Sequence, residues 1–180
     1  LTLVRIGTSG GLQPYTPIGT YVAAERSIGF DGVLYFYADT ERIRDVRMEK
    51  ELLRQLEWKL DRLQPYVVKA DPSLIEQITH DDMLRGMTIA ANGFYGPQGR
   101  QLRLPLADPQ LNQKIQAFDY EGHQITNYEM ESSALAGLAA MMGHRAMTVC
   151  CIIAGRVDKN MNTDYASALD NLIDTVVERI

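Results

Sequence analysis

Four short stretches of the 180-residue chain bring together side chains suited to holding anions, sugars and planar rings. The first is Arg5-Ile6-Gly7-Thr8-Ser9-Gly10-Gly11. Glycines let backbone N–H groups close on an oxyanion, the hydroxyls of Thr8 and Ser9 donate, and Arg5 supplies positive charge. The stretch has neither the G-K-[ST] ending of a Walker loop nor the G-x-G-x-x-G spacing of a dinucleotide loop. Its plainer reading is a tight turn with solvated hydroxyls. Against that stands the arginine inside an otherwise apolar strand, because a buried guanidinium needs an anionic partner.

The second stretch is Gly93-Phe94-Tyr95-Gly96-Pro97-Gln98-Gly99-Arg100. An aromatic ring here can stack on a planar base. Gln98 and Arg100 stand two apart, so in an extended loop they reach the same side. An amide offers donors and an acceptor and a guanidinium only donors, a set that suits the carbonyls and single N–H of a uracil edge. The alternative is a Gly/Pro-rich surface loop. The third stretch is Asn127-Tyr128-Glu129-Met130-Glu131-Ser132-Ser133, two carboxylates where a strand enters an apolar helix. They either complement the helix dipole or, if partly buried, need partners such as vicinal sugar hydroxyls. The fourth, Ala154-Gly155-Arg156, follows an apolar strand, and Arg156 is either a surface residue or a brace on the site. His80, His123 and His144 share no spacing, and no Ser-His-Asp or Cys-His arrangement stands out.

Elements of alternating type must position these stretches. Residues 3–6 read as a buried strand ending in a Gly-rich turn at 7–11, with further strands at 20–27 and 32–37. Residues 46–63 read as one helix, with Leu52, Leu53, Leu56, Leu60 and Leu63 at three- and four-residue steps and Pro65 as its stop. A strand at 66–68, a helix at 72–79 and a strand at 87–91 follow. A long loop over 92–105 leads to a helix capped by Asp108 with Pro109 at its first position. Residues 125–128 are extended, 131–142 form a buried helix that Gly143 ends, 146–154 form a strand covered on both faces, and 164–180 form a closing helix. The alternation predicts an α/β fold, one domain, with a mixed central sheet flanked by helices. Ligands in such folds sit where strands pass into loops, here after Ile6, Ala91 and Ile153.

Composition narrows the classes. Net charge is −5 with scattered basic residues, which argues against a nucleic-acid partner. The densest basic stretch, 42–62, alternates with acids and reads as a solvated helix face. Cys150 and Cys151 are adjacent in an apolar run, so they build no disulfide framework and no zinc spacing, and they point to a reducing compartment. No membrane-length apolar run occurs, so no membrane partner is expected. The chain opens in strand-like sequence without Met, which suggests a missing N-terminal portion.

Together, R-I-G-T-S-G-G-L-Q, F-Y-G-P-Q-G-R and N-Y-E-M-E-S-S-A-L, in this order, resemble the nucleoside phosphorylase family, uridine phosphorylase type. The resemblance runs along the whole chain and is weakest over 38–82. It implies a three-layer fold and phosphorolysis of uridine to uracil and ribose 1-phosphate. Inorganic phosphate is then a substrate, with no cofactor and no metal. It implies that Arg5, Thr8 and Ser9 bind phosphate, and that Gly10, Phe94, Gln98, Arg100 and Arg156 serve the base. Glu129, Met130 and Glu131 would hold the ribose, with Arg100 and Glu131 as the catalytic pair. A cytoplasmic homodimer or larger homo-oligomer is the further implication. Two positions depart from the usual pattern: Gly96-Pro97 replaces Pro-Gly, and Gly99 replaces Glu. Purine phosphorylases and nucleosidases of the same family carry an Asp after the last core strand. The first acid here is Asp158, beyond Arg156, which favours a pyrimidine. A purine phosphorylase, a nucleosidase and a non-catalytic nucleoside-binding protein remain the alternatives.

Overall fold

A computed structural model of the chain describes residues 1–155 and 160–180. The sheet is mixed, as the alternation predicts, and its ends meet. Strands β1 (Thr2–Gly11), β7 (Arg145–Gly155), β2 (Tyr21–Gly29), β4 (Leu84–Ala90) and β6 (His123–Glu129) are hydrogen-bonded in that order, and β6 also pairs with β1. Pairing is parallel for β1–β7, β2–β4 and β4–β6, and antiparallel for β2–β7 and β1–β6. Strand β3 (Tyr66–Lys69) adds to β2, and the two-residue β5 (Asp119–Tyr120) adds to β6. The helices are α1 (Val46–Gln55), α2 (Pro72–Ile78), α3 (Leu111–Ala117), α4 (Ser132–Met141) and α5 (Ala166–Arg179).

Two apolar clusters pack the helices onto the strands. Met48, Leu52 and Leu56 of the α1 region join Ile28, Ile89, Ile115 and Tyr128 in one. Leu74, Ile78, Leu172 and Val176 of α2 and α5 join Ala23, Met147, Val149 and Cys151 in the other. In β7, Met147, Val149 and Cys151 join the second cluster and the alternate Thr148, Cys150 and Ile152 are buried as well, so both faces are covered, which is why its sequence is nearly continuously apolar.

Four expectations need correction. Residues 7–11 are not a turn, because β1 continues through all three glycines to Gly11 in parallel register with β7. The loop expected after Ile6 therefore does not exist. Residues 32–37 are not a strand: Val33–Phe36 is a 3-10 turn entered through Gly32 in the left-handed region (φ 70°). The helix begun at Val46 stops at Gln55, well short of Pro65. Glu57 adopts φ 43°, and the Trp58 indole N–H donates to the carbonyls of Leu60 and Leu63, so the leucine period runs past the helix that it seemed to mark. Helix α3 starts at Leu111 rather than at Pro109, with Asp108 one turn earlier accepting from the backbone N–H of Gln110.

Candidate active site

Strand β1 is the rail on which the candidate site is built. Alternation along it puts Gly7 and Ser9 on the side of Arg5, while Val4 and Ile6 pack on the α2–α5 cluster. A Cβ at Gly7 would stand 3.0 Å from the Arg5 guanidinium, so glycine gives that side chain room to lie along its own strand. From there Arg5 reaches the C-terminal end of β6. One guanidinium nitrogen lies 3.2 Å from Glu129, and the other donates to Glu131 at very short range.

The two carboxylates differ. The Glu129 side chain is 1% exposed and that of Glu131 55%. Glu129 accepts from the backbone N–H of Glu131 and of Ser132 and from the Ser132 hydroxyl (2.6–3.0 Å), besides Arg5. It therefore caps α4 from outside the helix and has little accepting capacity left. Glu131 makes no capping bond. Its carboxylate faces solvent and holds only the arginine. On the opposite side of the same helix end, the Ser133 hydroxyl donates to Asp31 (2.6 Å), whose other oxygen accepts from Tyr66 and from the N–H of Val33. The first turn of α4, and with it the backbone of Glu131, is tied from both sides.

Burial works against the charge on Arg5, and neighbouring Cys150, Glu129 and Glu131 outweigh it, so its pKa is raised. Burial also pushes the Cys150 thiol up to about 12. Cys150 is then a neutral thiol near pH 7, so the standing negative charge beside Arg5 is that of the two carboxylates. Cys150 accepts a weak bond from Arg5 at 3.5 Å. The Ser9 hydroxyl is buried and has no hydrogen-bond partner among the described residues. Strict alternation sets the Thr8 side chain on the face away from Arg5, so the two do not form the side-by-side pair that a turn would have made.

The second stretch leaves the sheet beside Glu129. Ala90 is in register with Glu129, and the N–H of Ala91 donates to the Glu129 carbonyl. The stretch is not extended: Gly96–Gln98 is a 3-10 turn, and Gly99 follows at φ 66°. A Cβ at Gly99 would also stand within 2.4–2.7 Å of the Asn112 side chain, whose amide donates to the carbonyls of Gln98 and Gly99. This accounts for glycine where a longer side chain is usual. The turn separates the two proposed base readers, since Gln98 is buried at 4% while the Arg100 guanidinium lies 3.9 Å above the half-exposed Phe94 ring. Burial lowers the pKa of Arg100, and among the described residues no carboxylate pairs with it.

Arg100 separates two cavities. One, of about 460 Å³, is shared with Leu12, Asn112 and Gly155. The other, of about 1180 Å³, is lined by Leu60, Leu63 and the apolar part of the loop to Leu111. Because Leu12 directly follows β1, the rail runs from the Arg5–Glu131 pair to the cavity bordered by Arg100. Gly10 lies along it, in register with Tyr128, and half-exposed Met130 lies beside Glu131. Arg156 falls outside the described residues, as does Asp158. Sequence reasoning missed Asp31 and Asn112, which hold the site stretches from behind. An Asp-Gly pair ending a strand was the only available signal for the first, and nothing marked the second. Among the described residues, no group of three or more His, Cys, Asp or Glu is placed to hold a metal ion, and no helix is long and apolar enough to cross a membrane.

Residues 1–178 match the profile of the Phosphorylase superfamily. A uridine phosphorylase of Thermococcus kodakarensis is 30% identical over 162 residues, 87% of this chain and 49% of its own length. Uridine phosphorylase A of Schistosoma mansoni is 30% identical over 164 residues, 89% of this chain and 50% of its own. A Trypanosoma brucei nucleoside phosphorylase, whose crystal structure is described as showing uridine phosphorylase activity, superposes with a TM-score of 0.81 at 24% identity, over 98% of this chain and 63% of that one. The chain thus spans about half the length of these two curated relatives. With the profile match covering nearly every residue, the chain belongs to the Phosphorylase superfamily.

Proposed function

We propose that this chain carries the main part of a uridine phosphorylase site, for reversible phosphorolysis of uridine to uracil and ribose 1-phosphate. The observation that carries the reading is Arg5, held between a buried and an exposed carboxylate at one end of β1, with carboxylate-free Arg100 bordering the other end. An anion, a pentose and a base can then lie along one strand. The curated relatives that bear the uridine phosphorylase name support the choice of base.

In this reading phosphate is held by Arg5, with Ser9 donating its partnerless hydroxyl and Thr8 contributing through its backbone. Glu131, the carboxylate with spare capacity, takes the ribose 2′- and 3′-hydroxyls, and Met130 packs beside the sugar. Glu129 positions Arg5 and α4 rather than touching the sugar. Gly10, Phe94, Gln98 and Arg100 surround the base, with Arg156 as a brace. Phosphate attacks the anomeric carbon as the glycosidic bond breaks, so positive charge grows on the ribose and negative charge on the uracil. Arg100 stabilises the charge that appears on a uracil carbonyl only as the bond stretches, which is where binding accelerates. Positioning by the rail supplies the remainder.

The test is turnover of uridine and inosine by the full-length protein, each with and without phosphate. Uridine consumed only with phosphate, with ribose 1-phosphate released, is the expected result. Faster inosine turnover assigns a purine phosphorylase, activity without phosphate a nucleosidase, and binding without product a non-catalytic nucleoside-binding protein. The reading also includes a cytoplasmic homodimer or larger homo-oligomer, checked by sedimentation and cell fractionation.

A further inference from the structure

The charged stretch between residues 42 and 69 is not simply a solvated face. A cleft of about 550 Å³ opens at the β2–β3 side of the molecule, lined by Arg26, Arg42, Arg44, Arg47 and Lys69, with Asp45 and Glu121 as its only acids and Tyr120 beside them. The chain as a whole carries a net charge of −5, so this concentration runs against its average. The cleft meets the β5–β6 turn, at the opposite end of β6 from Glu129, and is separate from the candidate active site.

Two of the five cations are committed. Arg44 makes paired bonds to buried Glu49, and Arg42 donates to the carbonyl of Met141. Lys69 stays 3.9 Å from Asp45, beyond hydrogen-bond reach, and Asp45 already caps α1 through the N–H of Met48. The side chains of Arg26 and Arg47 have neither ion pair nor hydrogen bond among the described residues, and the Nε of Arg26 is buried without an acceptor. Register makes this costlier. Arg26 and Lys69 are direct partners across the antiparallel β2–β3 pair, so two like charges stand opposite one another on one face. A buried guanidinium donor without acceptor and a cross-strand like-charge pair are both relieved by the same thing, an anion between them.

We propose that this cleft binds a compact polyphosphate group, free or carried by a nucleotide. Its volume lies within the range of about 300–1,000 Å³ usual for small-molecule clefts. Guanidinium and ammonium groups from three separate chain segments match the several oxygens of a phosphate chain better than a single carboxylate. Tyr120, partly buried against the apolar core, lines the cleft where a nucleotide base would add an aromatic contact. The proposal stands apart from the reaction assigned above.

Titration calorimetry of tripolyphosphate into the full-length protein at low ionic strength tests it. The expected result is one site whose affinity falls at least tenfold in Arg26→Gln and severalfold in Arg47→Gln, tightens in Glu121→Gln, and is unchanged in Arg5→Ala. Arg47 and Lys69 are exposed, so Arg47→Gln and Lys69→Gln decide the matter should Arg26→Gln fail to fold. Binding that survives the Arg26, Arg47 and Lys69 variants, binding that Arg5→Ala alone abolishes, or no binding at millimolar concentration overturns the proposal. A nucleoside triphosphate that binds tighter than tripolyphosphate, with the excess lost in Tyr120→Ala, assigns a nucleotide. Equal affinities assign the free polyphosphate.

Discussion

The two ends of the β1 rail are built on opposite principles. At the Arg5 end the two holding carboxylates are densely paired: Glu129 accepts from two backbone N–H groups and a hydroxyl and forms an ion pair with Arg5, and Asp31 accepts from three donors. At the Arg100 end a loop with little regular structure is held, among the described residues, by short backbone bonds to Tyr95 and Gly96, an asparagine amide and a cation–ring stack. In the proposed reading, the wired end holds a fixed charge and a fixed sugar. In the same reading, the sparse end meets a neutral ring with an arginine that, among the described residues, has not spent its charge on a carboxylate. The contrast predicts that substitutions at the first end damage the fold and substitutions at the second damage the reaction.

The largest effect follows from Glu129→Ala. It takes the buried one of two carboxylates from partly buried Arg5 and leaves the first N–H groups of α4 without their acceptor, which costs about 3–5 kcal/mol of stability, the range for breaking a buried pair. Urea denaturation measures it, and a loss within experimental error would dissolve the contrast. Next is Arg100→Ala, which should lower kcat/KM for uridine by about 2–4 kcal/mol while shifting the urea midpoint little. A loss below tenfold in kcat/KM would mean that the sparse end does not read the base. Third, Ser133→Ala cuts the Asp31 tie on α4 and should cost about 1 kcal/mol, since a partly buried carboxylate oxygen loses its donor. Near-wild-type behaviour in thermal unfolding would show that the tie from Glu129 suffices alone.

The unequal wiring also explains what could be read from the chain. Strands β2, β3, β4, β6 and β7 and helices α2, α4 and α5 follow from apolar runs and their periods, because burial of a whole face writes itself into sequence. The glycines of β1 were misleading. Gly7 is there for the close approach of Arg5, and a close approach leaves the same letter as a turn. The leucines of residues 52–63 kept a helical period past Gln55, although Leu60 and Leu63 line a cavity instead of a helix face. At the site, the motif letters Arg5, Glu129 and Glu131 were legible, but not their division of labour. Which carboxylate is buried depends on where Ser132 and the β6 terminus fall in space. Asp31 and Asn112 act across 102 and 14 residues of chain, beyond any local pattern.

The last effect, of the same order, tests whether the loose loop is anchored at its far end. Asp108, buried at the exit of that loop, accepts from the N–H of Gln110 and from Lys114 at 3.0 Å. Burial alone would raise its pKa, but the Gln110 N–H and the Lys114 ammonium outweigh it, so the folded-state value is lowered. A carboxylate whose folded pKa lies below its unfolded value stabilises the protein above the unfolded pKa, about 3.9. That contribution is lost as pH falls through the folded value. Asp108→Asn should therefore cost about 1–2 kcal/mol near pH 7, and the gap to wild type should close as pH drops below 4. Urea titrations at a series of pH values follow it. A gap that persists unchanged at pH 3 would assign the cost to packing rather than charge. The loop would then be anchored at neither end by electrostatics, and Arg100 would be held by its own N–H bond to the Tyr95 carbonyl, by the Asn112 amide and by the Phe94 ring.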